Sequence, residues 1–295
     1  MTDASILIPT YRHAALLPWS IRSALDQEGA SVEVLVVGDG VEDASRDVIA
    51  SFAEDPRVRF FDFPKGPRNG EAFRHVALQE AEGRIVCYLC DDDLLLRDHV
   101  AEMGRLLEDA DFAHAVNIRF MADGEVLYFP WNYGRPEFRE VARSRIGSVG
   151  LTGVSHTLDA YRRLPFGWRT TPEGMPTDHH MWLQWLDLPG LRAVMGERLK
   201  HLKLPDPSWR TLSEDERAKA FAGWFRRSRE PGFADELDGM VRTALMRGAE
   251  DFHLWARREQ LGVGAMRATR TWRLRERAIR IGPLRALLAR RSNTR

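Results

Sequence analysis

Cysteine is scarce in this sequence: two residues in 295, Cys87 and Cys90. Two thiols so close together cannot staple a chain of this length, which excludes a secreted disulfide scaffold. No stretch approaches the roughly 18 consecutive apolar residues of a spanning helix. The N-terminus enters an apolar strand-like run without a charged-then-apolar leader, so the expected location is the cytoplasm. A Gly-x-Gly-x-x-Gly turn is missing after the first apolar run, which reads Pro9-Thr10-Tyr11-Arg12-His13, and a dinucleotide dehydrogenase is thereby excluded. An aspartyl-nucleophile phosphatase is disfavoured as well, because the carboxylates follow the fourth strand-like run, not the first. Net charge is also lacking, with 43 Lys and Arg against 43 Asp and Glu.

That balance is uneven along the chain. Residues 261–295 hold ten Arg and one Glu, leaving 33 basic and 42 acidic residues in 1–260. Within the tail, Leu274, Ala278 and Ile281 form an apolar stripe at helical spacing beside Arg273, Arg277 and Arg280. A basic amphipathic helix over 265–291 fits peripheral contact with the inner face of a membrane. It fits docking on the acidic body or a homodimer contact equally well. Nucleic acid is not expected as a partner, because the basic residues are not interleaved with aromatics in a recognisable motif.

A hydrophobic content of 44% excludes disorder as the main state, and the length suits one large domain or one domain with an appendage. Short β-branched runs alternate with helix-like stretches. Strands are expected at 5–9, 32–37, 58–63 and 84–89, with helices at 16–27, 45–53 and 71–80. Continuous apolar runs bounded by Pro, Gly and Asp indicate strands buried on both faces, and helices between them make the sheet mostly parallel. The class is therefore α/β, with functional groups beyond the carboxyl ends of the strands. Pro205-Asp206-Pro207 reads as a boundary between a domain at 1–204, with halves at 1–115 and 116–204, and a helical C-terminal extension at 205–295.

The acidic run Asp91-Asp92-Asp93 follows the strand-like Ile85–Leu89. Adjacent carboxylates at the end of a buried strand repel one another unless a cation or donors offset them. Mg²⁺ or Mn²⁺, bridging to a substrate diphosphate, would do so. A solvated helix-capping turn is the other reading. Cys87-x-x-Cys90 has redox spacing but lies on a strand, away from a helix start, so buried packing is the better account.

Three segments together resemble the opening of the family 2 glycosyltransferases: Ile6-Leu7-Ile8-Pro9-Thr10-Tyr11-Arg12, Val34-Leu35-Val36-Val37-Gly38-Asp39-Gly40, and Ala81 to Asp93. The resemblance is good over 4–115, thinner over 116–200 and absent beyond 205. It implies the GT-A fold, a mostly parallel central sheet flanked by helices that binds a nucleotide-diphosphate sugar. It also implies inverting, divalent-metal-dependent transfer to an acceptor hydroxyl, with a UDP-sugar as default donor and a glycan or lipid-linked acceptor. Carried over by position, Pro9, Thr10 and Arg12 lie against the nucleoside and Asp39 accepts from the base. Arg74 reaches the diphosphate or sugar, with a helix-surface arginine as the alternative, and Asp91, Asp92 and Asp93 cover diphosphate and metal. Asp93 is the preferred metal ligand, Asp92 the competing one, and Asp91 lies nearer the ribose or sugar.

Two departures from the family pattern stand out. Gly38 replaces the first of two aspartates, and Leu89 takes the place of an acid in the longer motif. They keep open a non-catalytic module with the same fold.

The segment Thr177-Asp178-His179-His180-Met181-Trp182 resembles the family's acidic residue at the start of an acceptor-side helix. Asp178 is the candidate general base, with a plain helix cap as the alternative. Adjacent histidines point about 100° apart on a helix, which argues against zinc at His179 and His180. His156 and Trp182 are expected on the acceptor side, with a satisfied structural histidine as the alternative for His156 and a core stripe of Trp182, Trp185 and Leu186 as the alternative for Trp182. Trp131, Tyr133 and Trp168 are candidates for stacking on an acceptor sugar, or for packing. Lys65 and Arg68 would add positive field, or stand solvated in their loop.

Overall fold

The structure is a computed structural model that describes residues 2–116, 118–120, 126–128, 131–144, 149–204 and 211–268. The first strand, β1 (Ala4–Thr10), is followed by α1 (Leu17–Leu25), β2 (Val32–Asp39), α2 (Asp43–Ala50), β3 (Val58–Phe63), α3 (Glu71–Gln79) and β4 (Ile85–Tyr88). This is the alternation expected from the apolar runs. Then come β5 (Asp93–Leu95), α4 (His99–Leu106), β6 (Phe112–His114), β7 (Ile118–Phe120), β8 (Val126–Tyr128), α5 (Pro136–Ser144), β9 (Val154–Thr157) and α6 (Leu158–Arg162). The chain continues through α7 (Thr177–Leu186), β10 (Ala193–Met195), β11 (His201–Lys203), α8 (Glu214–Arg227) and α9 (Phe233–Ala268).

Seven strands form one sheet in the order β10-β6-β9-β4-β1-β2-β3. β3, β2, β1 and β4 are parallel, while β9 runs antiparallel to both β4 and β6. Strand alternation sends successive side chains to opposite faces. Ile6, Ile8, Val34 and Val36 therefore join α1 and α4 in one core cluster. Leu7, Leu35, Val37, Val86 and Tyr88 join α3, α6 and α7 in the other. Both faces are covered by helices, which is why these strands read as unbroken apolar runs.

A third cluster lies around a two-stranded sheet, in which β11 pairs antiparallel with β5 and Lys203 stands opposite Asp93. Leu94, Leu202 and Leu204 pack there with Phe221 of α8 and Phe233, Leu237 and Val241 of α9. Ser213 caps α8 through a reciprocal pair with Glu216. The expected boundary at Pro205–Pro207 falls outside the described residues, and the first compact unit continues to Ala244, with a second from Leu245. The amphipathic stripe expected over 265–291 lies outside the described residues beyond Ala268. No described helix is long and apolar enough to cross a membrane.

Candidate active site

A cavity of about 370 Å³ opens at the carboxyl ends of β1, β2 and β4. The end of β1 contributes Pro9 to His13, β2 contributes Asp39, and α3 contributes Arg74. The turn after β4 contributes Cys90, Asp91 and Asp92. Lys65, Arg68, Asn69 and Gly70 line one wall, and Leu151, Thr177 and Asp178 another. Pro9, Thr10, Arg12, Asp39, Arg74, Asp91, Asp92 and Asp178, which the sequence scatters over 170 positions, thus share one cavity.

Asp39 is held from two sides. Lys65 Nζ donates to Oδ2 at 2.6 Å and the Gly66 amide to Oδ1 at 2.7 Å. Gly70, at φ 60°, starts α3 directly beside this carboxylate, and a Cβ there would lie 2.5 Å from Asp39 Cγ. Lys65 also donates to the carbonyls of Gly66 and Arg68, so one ammonium ties the loop before α3 to the end of β2.

The three adjacent acids have different surroundings. His13 Nδ1 lies 2.9 Å from Asp91 Oδ1, and that hydrogen bond is the main reason the His13 pKa rises to about 9. Asp92 is pushed up by burial first, then by the charges of Asp93 and Asp91. Asp93 differs from the sequence expectation: it is fully buried and absent from the cavity wall. Its Oδ2 accepts from Thr152 Oγ1 at 2.6 Å, and Lys203 Nζ lies 3.4 Å away. The chain turns after Cys90, and Asp93 becomes the first residue of β5, facing inward. Of the two expected metal ligands, Asp92 lines the cavity and Asp93 does not, while Asp93 Oδ1 has no partner among the described residues.

Lys203 is the residue that the sequence did not single out. Asp93 above all, against the cost of burial, holds its ammonium well above the usual lysine range, with Cys90, Asp92 and Asp178 adding to the effect. Only the pairing of β11 with β5 brings it beneath the acidic turn.

Oxygens of Asp91 and Asp92 and a ring nitrogen of His13 lie within 4.8 Å of one another. The two carboxylates suit Mn²⁺ or Mg²⁺ with room for substrate oxygens, and His13 stands beside them as the hydrogen-bond partner of Asp91. Cys90, Asp92 and Asp93 form a second such group, in which Asp93 is already engaged by Thr152 and Lys203.

Asp178 lies in the first turn of α7, whose N-cap is Pro176, so it is not the capping residue. Burial pushes its carboxyl pKa up, against the charges of Arg74 and Lys203 and the Leu151 backbone amide. Thr177 ties this turn to α3, donating to Glu71 Oε1 at 3.0 Å while accepting from Asn69 Nδ2 at 2.8 Å. Arg74 is 6% exposed, with Nε and Nη1 unpartnered among the described residues. An unpartnered buried guanidinium is costly unless a ligand completes it.

His156 and Trp182 are corrections. Both are fully buried: His156 Nε2 lies 2.8 Å from the Tyr88 hydroxyl, and Trp182 Nε1 donates to the Val149 carbonyl at 2.9 Å. Burial drives the His156 pKa down to about 3. Neither lines the cavity. Tyr133 and Trp168 are likewise core residues. Cys87 is a free buried thiol whose pKa burial pushes up to about 12, in keeping with packing.

The family model described as "Glycosyl transferase family 2" matches residues 5–167. The succinoglycan biosynthesis protein ExoO of Rhizobium meliloti is 35% identical over 113 residues, 38% of this chain and 31% of that protein. A Campylobacter jejuni enzyme named GalNAc(5)-diNAcBac-PP-undecaprenol beta-1,3-glucosyltransferase is 31% identical over 100 residues, 32% of this chain and 31% of the relative. Each match thus spans under a third of the relative's length.

Two solved structures share the fold at low identity. Staphylococcus aureus TarS 1-349 in complex with UDP has a TM-score of 0.54 at 12% identity, covering 82% of this chain and 70% of that one. The mannosyltransferase PcManGT of Pyrobaculum calidifontis, in complex with GDP-Man and Mn²⁺, has a TM-score of 0.50 at 19% identity, covering 93% and 84%.

Proposed function

Because the chain belongs to glycosyl transferase family 2, we propose that its cavity binds a nucleotide-diphosphate sugar and that the chain transfers the sugar, with inversion, to an acceptor hydroxyl. The observation that carries this reading is the convergence of Asp39, Arg74, Asp91, Asp92 and Asp178 on one cavity at the strand ends. Pro9, Thr10 and Arg12 enclose the nucleoside, and Asp39, already steadied by Lys65, meets the base. A divalent cation held by Asp92, with Asp91 and His13 beside it, would supply positive charge at the diphosphate. Arg74, on the cavity wall, directs its guanidinium to the diphosphate or sugar oxygens.

Asp178 is the base. Its raised pKa keeps it a competent proton acceptor while Arg74 and Lys203 favour its ionised form. The acceptor hydroxyl gives its proton to the Asp178 carboxylate as its oxygen bonds to the anomeric carbon. The bond from that carbon to the phosphate oxygen breaks, and the electron pair leaves with the nucleoside diphosphate. Attack opposite the leaving group inverts the centre. A glycan or lipid-linked acceptor is supported by the relatives' names, and a UDP-sugar is the default donor.

The test is a thermal-unfolding panel of UDP, GDP, dTDP and CDP, each with and without Mn²⁺. Ligand at about 100 times Kd adds about 2.7 kcal/mol, a shift of roughly 5 °C for a chain of this size. A shift with one nucleotide that needs the metal, disappears in Asp92→Ala and survives in Asp178→Asn is the expected result. No shift with any nucleotide defeats the donor-site reading.

A further inference from the structure

Arg74 is held in an unusual way for a buried cation. No carboxylate pairs with its Nε or Nη1 among the described residues. Instead its Cζ lies 4.6 Å from the ring centroid of Trp168, a residue just past the family match. A desolvated guanidinium over an indole face is attracted by the ring quadrupole, and the contact leaves its in-plane N–H groups unused.

The ring is itself fixed by a directed chain of hydrogen bonds. His156 Nδ1 faces the Thr157 carbonyl at 2.9 Å. A carbonyl only accepts, so Nδ1 carries the proton and Nε2 of the neutral ring is an acceptor. The Tyr88 hydroxyl must then donate to His156 Nε2, at 2.8 Å. Its oxygen is left to accept from Trp168 Nε1, at 2.9 Å. The Trp168 backbone amide donates to the Tyr161 hydroxyl at 3.0 Å. With both its indole N–H and its backbone engaged, the ring has one orientation.

We propose that Trp168 is the positioning residue for Arg74, its ring orientation set by Tyr88 and His156 so that the guanidinium, on the cavity wall, is aimed at the anionic oxygens of a nucleoside diphosphate. This rests on the donor-site reading above. The role of His156 and Tyr88 is then to aim a binding group from behind the wall. Preorganisation of this kind lowers the ordering cost of binding.

Calorimetric titration of the full chain with UDP and with GDP, in the presence of Mn²⁺, tests it. The variants are Arg74→Ala, Trp168→Leu, Trp168→Phe, Tyr88→Phe and the double variant Arg74→Ala/Trp168→Leu, each checked for its melting temperature. Arg74→Ala and Trp168→Leu each weaken the Kd about tenfold. Trp168→Phe, which keeps a ring face, stays within about threefold of wild type, and Tyr88→Phe weakens binding about threefold. The double variant binds no more weakly than Arg74→Ala alone, as expected of two groups acting as one unit.

If Arg74→Ala loses affinity while folded Trp168→Leu binds as wild type, this inference is overturned and the donor-site reading stands. Should Trp168→Leu fail to fold, unchanged affinity in Tyr88→Phe overturns it instead. If Arg74→Ala binds as wild type, this inference is likewise overturned while the donor site stands; if wild type binds no nucleoside diphosphate, the underlying reading falls and this inference with it.

Discussion

At Gly70 a single hydrogen in place of a methyl group decides whether Asp39 can stand at the end of β2. The backbone there is left-handed, at φ 60°, and the carboxylate occupies the volume a Cβ would need. Gly70→Ala therefore combines backbone strain of about 1–2 kcal/mol with displacement of a cavity-lining acid. The expected outcome is a melting temperature lowered by a few degrees and nucleotide affinity lowered at least tenfold. A variant that melts lower but binds normally would show that Asp39 is not a nucleotide contact. The residue scale also separates the three adjacent acids. They are equivalent in sequence, yet Asp91 pairs with His13, Asp92 faces the cavity, and Asp93 is sealed under it with Lys203.

At the scale of elements, the short ladder between β5 and β11 joins the acidic turn to the part of the chain beyond the family match. Lys203 and Asp93 stand opposite one another in that ladder, and removing one member leaves the other as an uncompensated buried charge. Lys203→Met is expected to lower unfolding free energy by about 3 kcal/mol, with the double variant Lys203→Met/Asp93→Asn recovering most of the loss. Urea unfolding of the two single variants and the double variant measures this. Additive losses would mean that the pair does not act as a unit. The ladder also explains where sequence reading stopped. β1 to β4 and the helices between them were legible because strands buried on both faces must be continuously apolar, and their ends then locate Pro9, Thr10, Arg12, Asp39 and Asp91. A three-residue strand such as β11 carries no such signal, because its pairing is set by chain more than 100 positions away.

For the whole molecule, the buried histidines set the acid limit of stability. Burial lowers the pKa of His99 and His114 to about 4 and that of His156 to about 3. His201 is likewise held well below the ordinary value, by burial and then by His99 and Lys203. These rings stay neutral in the folded chain while the unfolded chain binds protons near pH 6.5. The stability this neutrality confers is complete above that pH and is lost as pH falls toward the lowered values. Each ring removes about 1.4 kcal/mol per pH unit within its window. Urea midpoints are expected to fall steeply from about pH 7 to about pH 5, and a flat profile would mean that the rings are accessible to protons in the native state.

The sequence by itself determined the α/β class, the mostly parallel character of the sheet and the set of polar residues at the carboxyl ends of its first strands. Local pattern is enough for these, since a strand's burial and its end are written in consecutive residues. Tertiary structure alone decided which acids of the run line the cavity, that Lys203 lies beneath them, and that His156 and Trp182 are buried in the core. Those outcomes depend on the bend after Cys90 and on which face of β9 and α7 meets the sheet. A one-residue change of phase would exchange inside for outside while leaving the composition the same.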